Sequence, residues 1–102
     1  MAQYKIAYTV EAEGDFDSII DYIAADNPRK AIEFVQMLRD WTRSMLQSNP
    51  EAGVRFLNAR KITIDGYILL YEVDIQARTI VVLLIAQGAR DWRAAVIDRM
   101  RP

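Results

Sequence analysis

The sequence contains no cysteine and no histidine. Without cysteine there is no disulfide scaffold, no thiolate nucleophile and no zinc ribbon. Without histidine the commonest metal ligand and the commonest general base near neutral pH are both missing. Metal binding is left to carboxylates and proton transfer to lysine or tyrosine, so no metal and no cofactor are expected. No apolar run approaches the roughly 18 to 20 residues that a membrane helix needs. The opening MAQYKIAYTVEAEGD also lacks the basic-then-apolar layout of an export signal. A cytoplasmic location away from the membrane is therefore expected. Neither sign of charge dominates: 13 Lys and Arg stand against 14 Asp and Glu, a net charge of −1. A domain that holds nucleic acid by itself is usually distinctly basic.

What is present suits one soluble globular domain spanning 1–102. The chain is 52% hydrophobic and 26% charged, which argues against disorder. A chain of this length buries roughly 60 to 70% of the surface its unfolded form exposes. Charge is unevenly placed. Every charged residue in 11–26 is acidic, whereas from Arg90 onward four arginines face only Asp91 and Asp98. Such poles suit a partner protein, and they equally suit solvated helix faces.

Tyr4-Lys5-Ile6-Ala7-Tyr8 alternates and reads as a short strand. Thr9 then suits an N-cap, with Glu11 and Glu13 in the first turn, where the helix dipole favours anions. Ala12, Phe16, Ile19, Ile20 and Ile23 make one apolar stripe. Gly14 inside that helix costs on the order of 1 kcal/mol relative to alanine. Asn27-Pro28 stops the first helix and starts a second, because proline cannot continue a helix but suits its first position. The second helix carries Ala31, Phe34, Val35, Leu38, Trp41, Thr42 and Met45 on one face and should end near Ser48. Trp41 reads as core or interface. Residues 49–53 form a loop by composition. Residues 60–64 alternate, Asp65-Gly66 is a pair preferred in two-residue hairpin turns, and 67–74 return as a strand. The run 79–87 lacks alternation, which suits a central strand covered on both faces. Asp91 can cap a short last helix with Trp92, Ala95, Val96 and Met100 aligned. The expected fold is α+β: an N-terminal strand, a helical hairpin on a mostly antiparallel sheet of about four strands, and a short C-terminal helix.

That order, with these residues, resembles the RelE/ParE superfamily of toxins from type II toxin–antitoxin modules. Phe16-Asp17-Ser18-Ile19-Ile20-Asp21-Tyr22-Ile23-Ala24 is similar to the first helix of the family. Asp26-Asn27-Pro28-Arg29-Lys30-Ala31 is similar to its interhelical turn. Asn49-Pro50 with Gly53, Gly66-Tyr67-Ile68-Leu69-Leu70-Tyr71-Glu72-Val73 and Ala86-Gln87-Gly88-Ala89-Arg90-Asp91-Trp92 resemble the later segments. The resemblance implies a growth-inhibiting toxin neutralised by a separate cognate antitoxin, which docks on a sheet edge and a helical face.

The superfamily divides by target. RelE-like members cleave messenger RNA on the ribosome with a cluster of Lys, Arg and often Tyr, whose cations stabilise phosphorane oxygens while the 2′-hydroxyl attacks. ParE-like members act on DNA gyrase. Arg90 and Lys61 match two cations of the nuclease pattern, and they are its candidate catalytic residues. Ile68 replaces an arginine, Thr63 stands where a lysine is expected, and no tyrosine follows Tyr71, Val96 lying near its place. Each lost charged contact removes about 2 to 4 kcal/mol of transition-state stabilisation. The expected assignment is therefore ParE-like, with ribosome and messenger RNA as the alternative target; a non-toxic interaction module remains a third reading. Arg93, Arg99 and Arg101 stay open as substitutes for the missing cations. Candidate target-binding residues are Arg90, Trp92, Arg93 and Arg60. Arg90, at the exit of a buried strand, either presents its guanidinium to a partner or pairs with a carboxylate or a helix end of its own chain. Trp92 either touches a target or anchors the last helix. Tyr67 and Tyr71 share a strand face and read as packing, and Asp15 and Asp17 carry nothing catalytic.

Overall fold

A computed structural model describes residues 3–101. Strand β1 (Lys5–Tyr8) leads into helices α1 (Val10–Ala24) and α2 (Pro28–Leu46). Strands β2 (Val54–Phe56), β3 (Ala59–Ile64), β4 (Tyr67–Asp74) and β5 (Thr79–Gln87) come next, and α3 (Trp92–Arg99) closes the chain. The sheet order is β1-β5-β4-β3-β2, antiparallel except where β1 runs parallel to β5. The long strand β5 lies between β1 and β4 and is covered on both faces, as its unbroken apolar run predicts.

Local chemistry explains the helical hairpin. The Thr9 hydroxyl accepts the Ala12 N–H at 3.1 Å, and the Asn27 side chain accepts the Lys30 N–H at 3.1 Å. Each cap satisfies an N–H that the first helical turn leaves without a partner. Ala12, Phe16 and Ile19 from α1 meet Val35, Leu38 and Leu46 from α2 over Leu69, Tyr71, Ile80 and Val82 of the sheet. The opposite face is covered by α3, whose Trp92 and Val96 pack on Ile68, Leu70, Leu83 and Leu84.

Two expectations are corrected. The sheet has five strands, because Val54–Phe56 pairs with Ala59–Lys61. That hairpin closes through Leu57, at a φ of 54°, and Asn58, with no glycine to announce the turn. Helix α2 ends at Leu46 with Gln47 as its C-cap, near Ser48 as expected. Trp41 is not core but 39% exposed: α1 covers the stripe through Ala31, Val35, Leu38 and Thr42, and position 41 lies on its flank. By contrast, Asp65 and Gly66 both take positive φ, 52° and 83°, as a type I′ turn requires.

One irregularity decides which way the side chains of β5 point. Leu70 pairs with Leu84 but Tyr71 pairs with Val82, so Leu83 is an extra residue in β5. Such a bulge reverses which residues face which side. Ile80 and Val82 face the helical hairpin before it, and Ile85 does so after it.

Candidate functional site

Beyond Gln87 the chain leaves the sheet through Gly88, Ala89 and Arg90, all exposed. The Gly88 N–H donates to the Gly66 carbonyl at 3.0 Å, which ties this tip to the β3–β4 turn. The Arg90 N–H then donates back to the Gln87 carbonyl at 3.0 Å. Among the described residues, the Arg90 side chain has no hydrogen bond or ion pair. It borders a groove of about 180 Å³ between α1 and the end of β5, with Ser18, Ile19, Tyr22, Tyr67 and Ile85.

The other expected site residues divide into two groups. Trp92 is only 4% exposed, so it anchors α3. Its ring meets Phe56 edge-on at 5.1 Å, with the Lys61 ammonium 5.4 Å and the Arg93 guanidinium 4.4 Å from its centroid. Both distances suit cation–π attraction. Lys61, Trp92 and Arg93 therefore come together on the α3 side of the sheet, while Arg90 borders a groove on the hairpin side. Arg60 is separated from both. Its guanidinium donates to the Gly53 carbonyl at 2.9 Å and the Glu51 carbonyl at 3.4 Å, closing the 50–53 corner.

Two arrangements escape sequence reasoning. Beyond Tyr8 the first strand has ended, and β5 presents an open edge. There Asp15 accepts the Ile85 N–H at 2.9 Å, and Arg99 donates to the Leu83 carbonyl at 2.9 Å. The two side chains also pair with each other, at 2.7 and 3.0 Å. One ion pair thus replaces the missing continuation of β1 and ties α3 to α1. The bond to Asp15 is the main reason the Arg99 pKa is raised. Arg99 is accordingly engaged and does not supply a free cation. The available signal was Asp15 lying between Ala12 and Ile19 on the apolar stripe, where a carboxylate needs a partner. The second arrangement is the Tyr71 hydroxyl, which donates to the Pro50 carbonyl at 2.8 Å and accepts the Gly53 N–H at 2.9 Å. No group of three or more metal-ligating side chains occurs among the described residues. No helix among them is long and apolar enough to cross a membrane.

The model of the ParE toxin of the type II toxin–antitoxin system parDE matches residues 6–92. The chain belongs to the ParE toxin family. A chromosomal ParDE toxin–antitoxin system from P. aeruginosa contains a chain 25% identical, with a TM-score of 0.68, over 82% of this chain and 95% of that one. The toxin–antitoxin complex RelBE2 from Mycobacterium tuberculosis gives 22% identity and a TM-score of 0.62, over 88% and 97%. A double-arginine mutant of the E. coli toxin RelE in its free state gives 17% and 0.60, over 99% and 100%. These last two share the fold. No curated protein matches the chain. The ParE match runs from β1 to the first residue of α3, so it includes Arg90 and leaves Arg99 outside.

Proposed function

We propose that this ParE-family toxin arrests growth by binding DNA gyrase and is held inactive by a cognate antitoxin. The family match together with the scattering of the cations supports this reading. A nuclease of the RelE kind needs several cations converging on one phosphate, because charge stabilisation falls steeply with misplacement. Here Arg90 borders the hairpin-side groove, Lys61 and Arg93 sit on Trp92, Arg60 closes a corner and Arg99 is paired with Asp15. Arg90 is the residue assigned to target contact, with Arg93 on the neighbouring helix. The ParDE and RelBE2 structures, each a toxin–antitoxin system, support the antitoxin as partner.

The test is induction in a host without the partner gene, followed by plasmid topoisomer analysis and primer extension on translated messages. Loss of supercoiling, reproduced with purified gyrase, is the expected outcome. Message cleavage abolished by both Arg90→Ala and Lys61→Ala, with supercoiling intact, replaces this reading by the ribonuclease. Lys61 and Arg93, both set against the Trp92 ring, are the observation favouring that alternative.

A further inference from the structure

The groove beside Arg90 has a hydrogen-bonding pattern that selects its occupant. In an antiparallel ladder successive residues point their backbone groups alternately to the two sides. Gly88 donates toward Gly66 and Ile85 toward Asp15, so residues 85 and 87 turn away from β4. Four backbone groups therefore face the open edge. Asp15 occupies the Ile85 N–H, and the Arg90 N–H occupies the Gln87 carbonyl. The Ile85 carbonyl and the Gln87 N–H remain, without a partner among the described residues.

We infer that this groove binds the C-terminal residue of a polypeptide, with its terminal carboxylate on the Gln87 N–H and the Arg90 guanidinium; the residues before it leave the sheet, because Asp15 and Arg99 hold the Ile85 N–H and the Leu83 carbonyl. An antiparallel strand needs both groups of one residue, and at 85 and at 87 one of the two is taken. The free carbonyl and N–H instead flank Ala86, which is the pattern offered to a parallel neighbour. Strand β1 already uses the parallel pattern on β5, ending with Tyr8 opposite Val82. An incoming residue donates its N–H to the Ile85 carbonyl, and one carboxylate oxygen accepts the Gln87 N–H. The second oxygen meets the unpaired Arg90, whose planar fork suits a carboxylate. Ile19, Tyr22, Tyr67 and Ile85 line the groove, so an aliphatic last side chain is favoured, and the Asp15 carboxylate that also lines it is already paired with Arg99. About 180 Å³ holds one or two side chains and is too small for a helix about 10 Å across. The inference goes beyond the gyrase reading and does not require that target.

The probe is N-acetyl-Ala-Ala-Leu with a free carboxylate, titrated into the ¹⁵N-labelled full chain and followed at the Gln87 amide. The expected result is a saturable downfield shift that weakens at least about tenfold in Arg90→Gln and with the C-terminal amide of the same peptide. Equal binding of the amide overturns the proposal in favour of simple edge pairing. An equal effect of sodium acetate at the same concentration reduces the site to a bare guanidinium and also overturns it. So does a Gln87 amide that does not move. Because Arg90 is exposed and has no ion pair or hydrogen bond from its side chain among the described residues, the Arg90→Gln variant is expected to fold, and its amide spectrum checks this directly.

Discussion

The corner at 50–53 and the tip at 87–91 are both short connections at strand ends, and each involves a glycine and an arginine. At the corner the backbone groups of Pro50, Glu51 and Gly53 are matched by side chains. Tyr71 is fully buried, its hydroxyl holds one N–H and one carbonyl, and Arg60 takes two further carbonyls. At the tip the arginine side chain has no hydrogen bond or ion pair among the described residues, and Asp91, at the N-cap of α3, makes no side-chain cap bond there. The corner uses its polar groups to define the fold, whereas the tip leaves them available. A binding surface needs the second arrangement, carried on a scaffold held by arrangements of the first kind.

The sharpest way to break the contrast is Gly53→Ala. A Cβ there meets the Lys61 carbonyl at 2.9 Å and the Tyr71 hydroxyl at 2.9 Å, both closer than side-chain carbons tolerate. Loss of about 2 to 4 kcal/mol is expected in denaturant unfolding, through overpacking and the displaced hydrogen bonds. Tyr71→Phe should cost about 2 kcal/mol, by leaving the Gly53 N–H and the Pro50 carbonyl without their partner. Burial also raises the Tyr71 pKa above its ordinary 10.0, against the opposing pull of the Gly53 bond and Arg60. A folded pKa above the unfolded one means that the native state holds the proton longer. The contribution is complete below pH 10 and is lost as pH rises through the folded value. The alkaline limb of stability should therefore flatten in Tyr71→Phe, though not vanish, because burial raises Tyr8 as well. If Gly53→Ala unfolds with the parent, the corner is not the closed structure described.

Asp15 and Arg99 sharpen the comparison from the middle. Arg99 belongs to the same C-terminal segment as Arg90 but is used as the corner arginine is, to satisfy backbone. Either Asp15→Ala or Arg99→Ala should cost about 1.5 to 3 kcal/mol, since each leaves a backbone group and a partly buried charge unmatched. The double variant should cost less than the sum, because one interaction is removed only once. Additivity in that cycle, measured by denaturant unfolding, refutes the joint role.

Distance along the chain decides how much of this the sequence made legible. The caps at Thr9 and Asn27, the Asp65-Gly66 turn and the apolar stripes are relations between residues a few positions apart. They obey rules that operate locally. Strand β2 escaped because it is three residues long and turns through Leu57-Asn58 without glycine. The Asp15–Arg99 pair spans 84 residues and depends on a bulge at Leu83, which no local pattern encodes. The tip was legible in position, since Arg90 comes just after a buried run. Its surroundings were not: the sequence alone does not reveal that Lys61 and Arg93 share one tryptophan while Arg90 borders a groove across the sheet.

The smallest effect on stability is expected at Arg90, and its smallness is the point. An exposed side chain with no ion pair or hydrogen bond among the described residues contributes within about 0.5 kcal/mol of nothing to folding. Arg90→Ala should therefore unfold with the parent in denaturant while losing growth arrest on induction. Arg99→Ala should lose stability as well, since its guanidinium holds the Leu83 carbonyl and Asp15 together. The two arginines, nine positions apart in one segment, then separate by measurement into one that the fold consumes and one that it presents. A cost above about 1 kcal/mol at Arg90 means that the guanidinium is occupied within its own chain. In that case the tip resembles the corner, and the groove beside it loses the cation on which carboxylate recognition depends.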